Sequence, residues 1–184
     1  MRIERATFPS VQLAASVGAD ATCRISSIDK DRDGDIIEPR GIDFTAYMKN
    51  PVVLYAHDYH SLPVGKCVGI RVTDTDVTAS WKWLPNDEFA ARVRNAWDAG
   101  FLNGTSVGFK PTKAERLGAG LPEGVRFVKC ELLEFSIVPV PANQTAVRAL
   151  KAFGLLSRDF EMQRDTRVPL LKANPFGKTW WSAR

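Results

Sequence analysis

From Thr22 to Val140 the chain is cut into short stretches rich in Val, Ile, Thr and Trp, separated by turn-forming residues. Such stretches suit a pleated, half-buried surface, so the rhythm selects a β-rich fold. Thr22, Arg24 and Ser26 alternate with Cys23 and Ile25, the pattern of an edge strand, and the acidic run Asp29 to Asp35 around Gly34 is a turn. The apolar run 52–56, ending at His57, reads as a strand buried on both faces. Residues 64–73 and 77–83 read as two more strands joined by a polar Asp-Thr-Asp turn. Residues 101–111 predict a strand with Thr105, Val107 and Phe109 on one face, and 125–140 one or two strands with Leu133, Phe135 and Ile137 sharing a face.

Helices are the minority. The clearest starts at a cap on Asn86, has Asp87 and Glu88 in its first turn, repeats Phe89, Val93 and Trp97 every four residues and stops at Gly100. A short one is expected over 42–50, closed by Pro51, and another over 141–154, capped near Asn143 with Val147 and Leu150 as its stripe. The fold class is therefore α+β and mainly β: an antiparallel barrel-like core with helices packed outside. Beyond Gly154 the periodicity fades into mixed charges, two prolines and the Trp180-Trp181 pair. The expected division is a domain over 1–153 and a tail over 154–184.

Composition serves mainly to exclude. With 184 residues, 45% hydrophobic and 10% aromatic, the chain can bury a core. No apolar run approaches the roughly 18 residues a membrane helix needs. The opening MRIERATFPSVQLAAS carries Glu4 and no long apolar stretch, so no secretory leader is expected. A formal charge of +4, scattered along the chain, argues against a nucleic-acid partner. Cys23, Cys67 and Cys130 are odd in number and lack CxxC spacing, so reduced, buried thiols are expected. Trp81 and Trp83 alternate as packing residues rather than a base-stacking platform. Asp29-x-Asp31-x-Asp33-Gly34 opens like a calcium loop, but Arg40 stands where the bidentate Glu is required. HExxH, the Walker phosphate loop and a GxGxxG after a strand are all missing, so no metal or cofactor is expected.

Chemistry-bearing residues are few. Of the two histidines, His60 lies in a polar loop, whereas His57 ends a buried strand and could have one ring nitrogen tied down and the other presented. Ser106 lies between Gly104 and Gly108. The letters fit a Gly-x-Ser-x-Gly elbow, but the predicted setting is mid-strand rather than a strand-to-helix turn. There the flanking glycines leave the backbone open to close approach. Glu134 and Ser136 fall opposite the predicted core face of their strand, on Ser106's side if the cores align. Glu131 has core parity, which a bulge would reverse. Either glutamate could orient His57.

Taken together, these segments resemble the prohead maturation proteases of tailed bacteriophages, which are related in fold to the herpesvirus assembly proteases. The resemblance spans about residues 25–148. It rests on DRDGDII from Asp31, YMKNPVVLYAHD from Tyr47, PVGK from Pro63, GFLNGTSVGFKP from Gly100 and ELLEFSIVPVPAN from Glu131, in that order. It implies a serine endopeptidase with His57 as base and Ser106 as nucleophile. The herpesvirus relatives use a second histidine as third member. No His follows His60 here, so a glutamate takes that role: Glu134 by strand parity, with Glu131 as the alternative. The resemblance further implies action inside the assembling prohead in the host bacterial cytoplasm. The partners would be the major capsid protein, the scaffold protein, the protease itself and copies of this chain. The oxyanion donors are open between the 118–124 loop and the amides near Ser106. The rival reading is a non-catalytic barrel serving as a capsid or scaffold component.

Overall fold

In the computed structural model, which describes residues 18–118 and 124–148, the strands in chain order are β1 (Ala21–Ser27), β2 (Ile36–Ile37), β3 (Ile42–Asp43), β4 (Val52–Tyr55), β5 (Gly65–Val72), β6 (Asp76–Trp83), β7 (Gly104–Arg116) and β8 (Val125–Val138). The single α-helix of the described residues, α1 (Glu88–Asp98), lies between β6 and β7. The fold is mainly β, as the pattern predicts.

Strand β8 organises the sheet. One of its edges pairs antiparallel with β7 along nearly its whole length. Its other edge is shared in turn by β2, β3 and β4, all running parallel to it. From β4 the sheet continues antiparallel through β5 and β6 to β1. Strand β1 then comes back alongside β7, where the Thr105 hydroxyl donates to the Arg24 carbonyl at 2.7 Å. The sheet thus almost closes on itself. The expectation of an antiparallel barrel is corrected in one respect, because the three parallel pairings make the sheet mixed.

Aromatic packing fills the interior. Trp81, fully buried, takes Trp83, Trp97 and Phe135 edge-on at ring-centre distances of 5.8, 5.3 and 5.8 Å. Offset and edge-on geometries are the favoured ones for aromatic quadrupoles. Helix α1 supplies Ala90, Val93 and Trp97 to this core, and the half-buried Phe89 meets Tyr55 edge-on. Its cap is Asp87, which accepts from the Ala90 amide at 2.7 Å, and not Asn86, which adopts a left-handed φ of 58° in the turn before it. Replacing Asp87 with Ala is expected to cost about 1 kcal/mol in denaturant unfolding, with the slope of the transition unchanged.

Three further expectations change. Over 42–50 the chain forms β3 and then a single 3-10 turn, Tyr47–Lys49, instead of a helix, because Ile42 and Asp43 pair with Cys130 and Glu131 of β8. From Pro141 to Arg148 the chain is irregular, not helical. Asn143 closes a local turn by accepting from the Thr145 amide at 2.9 Å, and Val147 bridges to Gly104. Leu150 lies outside the described residues, as do residues 119–123 of the glycine-rich loop and the whole of the expected tail.

The third change concerns β8, a single strand whose expected core face of Leu133, Phe135 and Ile137 is broken at Leu133. Gly108 pairs with Glu134 and Phe109 with Leu132, so Leu133 is an extra, bulged residue. A bulge resets side-chain alternation. Leu132 is therefore the core residue, with Phe135 and Ile137, while Leu133 is 44% exposed. Glu131 changes faces with it. It pairs with Lys110, which shares a face of β7 with Gly108, and is half-buried on that side instead of in the core.

Candidate active site

The chain leaves β4 through a tight turn whose two central residues, Ala56 and His57, both have positive φ, 52° and 58°. The Asp58 amide closes it on the Tyr55 carbonyl at 3.1 Å. That is the geometry of a type I′ turn, which usually recruits Gly or Asn. Placing Ala and His there costs on the order of 1 kcal/mol or more each, strain of a kind that concentrates at functional sites. Two contacts from β8 hold the turn: the Ala56 amide donates to the Ile137 carbonyl at 3.0 Å, and the His57 amide donates to Ser136 Oγ at 3.0 Å.

The His57 ring is directed by this turn onto a carboxylate. Its Nδ1 lies 2.7 Å from Glu134 Oε1. Glu134 is 1% exposed, and its second oxygen, Oε2, accepts from the Ser136 hydroxyl at 2.7 Å. The His57 side chain is 31% exposed, and Nε2 makes no hydrogen bond among the described residues. One ring nitrogen is anchored and the other is available.

Register places Ser106 on the same face. Ser106 pairs with Ser136, Val107 with Phe135 and Gly108 with Glu134, without interruption. Directly opposed residues of an antiparallel pair project to the same side, with Cα atoms about 4.5–5.5 Å apart. Gly108, two residues on, confirms which side this is: a Cβ there would stand 2.2 Å from Glu134 Oε1. Ser106 is 8% exposed, and among the described residues its hydroxyl makes no hydrogen bond, to His57 included. A small cavity of about 40 Å³ reaches Ser106, but its lining of Ile25, Ser26, Val107, Phe109 and the acidic turn includes neither His57 nor Glu134.

The other candidates separate cleanly. Glu131 has no ion pair or hydrogen bond through its carboxylate among the described residues and lies beyond the bulge from Glu134. His60 is exposed, and its amide donates to Asp58 Oδ1 at 2.9 Å. The Ser61 hydroxyl and the His60 amide hold the Asp58 carboxyl below the usual range. No group of His, Cys, Asp or Glu among the described residues is arranged to hold a metal ion. All three cysteines are free and buried.

Sequence patterns did not announce two residues at this site. Tyr59 is 62% exposed, yet its Oη would be 2.8 Å from a Cβ on Gly108, and its hydroxyl pKa is raised by partial burial and by the Glu134 charge. Its place two residues after His57 is the only signal it gives. Ser136 is the other; its alternation with Phe135 and Ile137 marks its face but not its two partners.

An anchored imidazole with a free nitrogen, a buried carboxylate and a serine on one face are the parts of an acyl-transfer site. The comparisons agree with this chemistry. The chain is 33% identical to the prohead protease of Escherichia phage T5 over 124 residues, 65% of this chain and 56% of that protein. It is 28% identical to the prohead protease of Enterobacteria phage HK97 over 153 residues, 80% of this chain and 67% of that one. It is 29% identical over 155 residues to the capsid polyprotein of Pseudomonas phage PAJU2, matching 80% of this chain but 22% of that protein. No solved structure matches. With the family model of the caudovirus prohead serine protease matching residues 26–156, the chain belongs to that family.

Proposed function

We propose that this chain is a serine endopeptidase of phage capsid maturation, with Ser106 as nucleophile, His57 as general base and acid, and Glu134 as the carboxylate that orients His57. The observation that carries the reading is the His57 Nδ1 to Glu134 Oε1 contact of 2.7 Å on the face of β8 that Ser106 shares. The proton on Nδ1 points to the carboxylate, so Nε2 carries the free lone pair. As Ser106 Oγ attacks the scissile carbonyl carbon, its proton passes to Nε2, and Glu134 stabilises the imidazolium. Collapse of the tetrahedral intermediate breaks the C–N bond, and the Nε2 proton goes to the leaving amine. Water then repeats the sequence on the acyl-enzyme and frees Ser106. Hydrogen bonds in such sites often tighten only when substrate is bound, which accommodates a Ser106 hydroxyl without a partner in the free chain.

The substrates in this reading are the scaffold and the removable segment of the major capsid protein, together with the protease itself. They would be cut inside the prohead in the host cytoplasm. A match within a capsid polyprotein supports a capsid chain as the neighbour on which the enzyme acts. The nearly closed β sheet suits the kinship with herpesvirus assembly proteases that the sequence suggests. Residues 1–153 form the protease in this reading. Residues 154–184 form a tail that self-cleavage removes or a partner holds, so a chain ending at Gly154 is expected to stay soluble and unfold cooperatively.

The test is co-expression with the cognate capsid protein. Ser106→Ala is expected to abolish processing, and Glu131→Gln to leave it within a few-fold. Processing by Ser106→Ala equal to wild type would remove Ser106 from the mechanism. The thiols offer a second check. Burial pushes Cys23 and Cys130 up to about 11 and raises Cys67 as well, so at neutral pH all three stay protonated and weakly nucleophilic. Iodoacetamide is therefore expected to leave activity intact, whereas a serine-directed phosphonate abolishes it.

A further inference from the structure

Ser136 is fully buried, and a buried hydroxyl in a β-strand needs partners. It has two, both belonging to the site: Oγ accepts from the His57 amide at 3.0 Å and donates to Glu134 Oε2 at 2.7 Å. The roles are forced. An amide can only donate, and an ionised carboxylate can only accept, so the single hydroxyl proton goes to Glu134 and a lone pair takes the amide hydrogen.

We infer that Ser136 is a positioning residue of the protease, one oxygen that fixes both the backbone of the base and the carboxylate that orients it. The inference rests on the protease reading of the site. Three features of the structure converge on it. The turn carrying His57 is strained at Ala56 and His57, and the Ser136 contact is one of the two bonds from β8 that hold it. Glu134 divides its oxygens, Oε1 to the imidazole and Oε2 to Ser136, so the hydroxyl stops the carboxylate from rotating off the ring. Ser136 also stands directly opposite Ser106 across the β7–β8 pair, so a single strand register sets the nucleophile against the anchor of the base.

Losing the hydroxyl would leave the His57 amide without its acceptor and the carboxylate free to turn. Misplacement of a catalytic group by about 1 Å can cost about 10²-fold in rate. Ser136→Ala is therefore expected to lower kcat by about 10–100-fold with KM nearly unchanged, and Ser136→Thr, which restores a hydroxyl, to recover part of that loss. A second readout does not depend on turnover. In a Ser106→Ala background, the hydrogen-bonded His57 Nδ1 proton is expected as a resolved low-field NMR resonance. Adding Ser136→Ala should broaden it or move it upfield, while the amide spectrum elsewhere stays folded.

Wild-type kcat in Ser136→Ala, beside an inactive Ser106→Ala, would overturn the positioning role and leave the protease reading standing. An unchanged low-field resonance in a folded Ser136→Ala chain would overturn it independently. If Ser106→Ala itself remained active, the protease reading would fail, and the resonance alone would still decide whether Ser136 holds the His57–Glu134 pair.

Discussion

Replacing Glu134 with Gln is expected to lower kcat/KM by about 10⁴-fold while leaving the fold intact, the scale on which a serine protease triad loses rate when its acid becomes an amide. The substitution keeps the shape of the side chain and removes only its charge. Held by the Ser136 hydroxyl at one end, the amide would present its NH₂ group to His57 Nδ1. The imidazole would then place its proton on Nε2, the nitrogen that has to receive the Ser106 proton. The base is disabled by its tautomer rather than by its position. The imidazolium also loses the buried anion that stabilises it in the transition state.

Stability should respond weakly. Glu134 is 1% exposed, and because the resting imidazole of this mechanism is uncharged, an amide of the same shape leaves no unpaired charge behind and removes the cost of burying a carboxylate. The measurement is kcat/KM on a capsid-derived peptide alongside thermal unfolding. A folded Glu134→Gln enzyme retaining more than a tenth of wild-type activity would remove Glu134 from the mechanism. Glu131→Gln is the matched control, since it changes an equivalent charge on the same face, three residues away along β8.

Which parts of this site are legible in the amino-acid order follows from which interactions are local. The alternation of Phe135 and Ile137 with Glu134 and Ser136 is a period-two pattern, and the structure keeps it: the apolar pair enters the core, and the polar pair turns to the side of Gly108. Leu133 breaks the pattern because a bulge depends on how β7 and β8 register over long distances, and no local residue records it. The left-handed turn at Ala56 and His57 is equally silent, as neither residue is a turn former of the usual kind. Its bonds come from Ser136 and Ile137, some eighty positions later. The parallel pairing of β2, β3 and β4 with β8 is likewise set by partners distant in the chain. The helix expected after Pro141 fails for a related reason, since Asn143 and Thr145 have non-local partners in Ser27 and Asp29, which a helix would forfeit. The scarcity of histidine, by contrast, is read directly, and it directs attention to His57.

Gly108→Ala should damage the site severely, although glycine brings no chemically active group of its own. Gly108 does not adopt a left-handed φ, so Ala meets no backbone penalty there; what it lacks is space. The new methyl carbon would stand 2.2 Å from Glu134 Oε1 and 2.8 Å from Tyr59 Oη. Tyr59 is exposed and can swing away, but the carboxylate is bound on both oxygens, by His57 and by Ser136. The carboxylate must therefore move, and the contact it surrenders is the one at Oε1, which orients the base. The expected result is a loss of about 10²-fold or more in kcat/KM, with a stability cost of about 1–3 kcal/mol for overpacking. Tyr59→Phe should not rescue the variant, because it clears the lesser of the two clashes. The sharper test is a double-mutant cycle with Glu134→Gln. If the methyl group acts only by displacing the carboxylate from His57, the two losses are strongly non-additive, and the double variant is scarcely slower than Glu134→Gln alone. Additive losses would mean that Gly108 serves something else, such as close approach of the substrate backbone, and that the carboxylate tolerates the crowding.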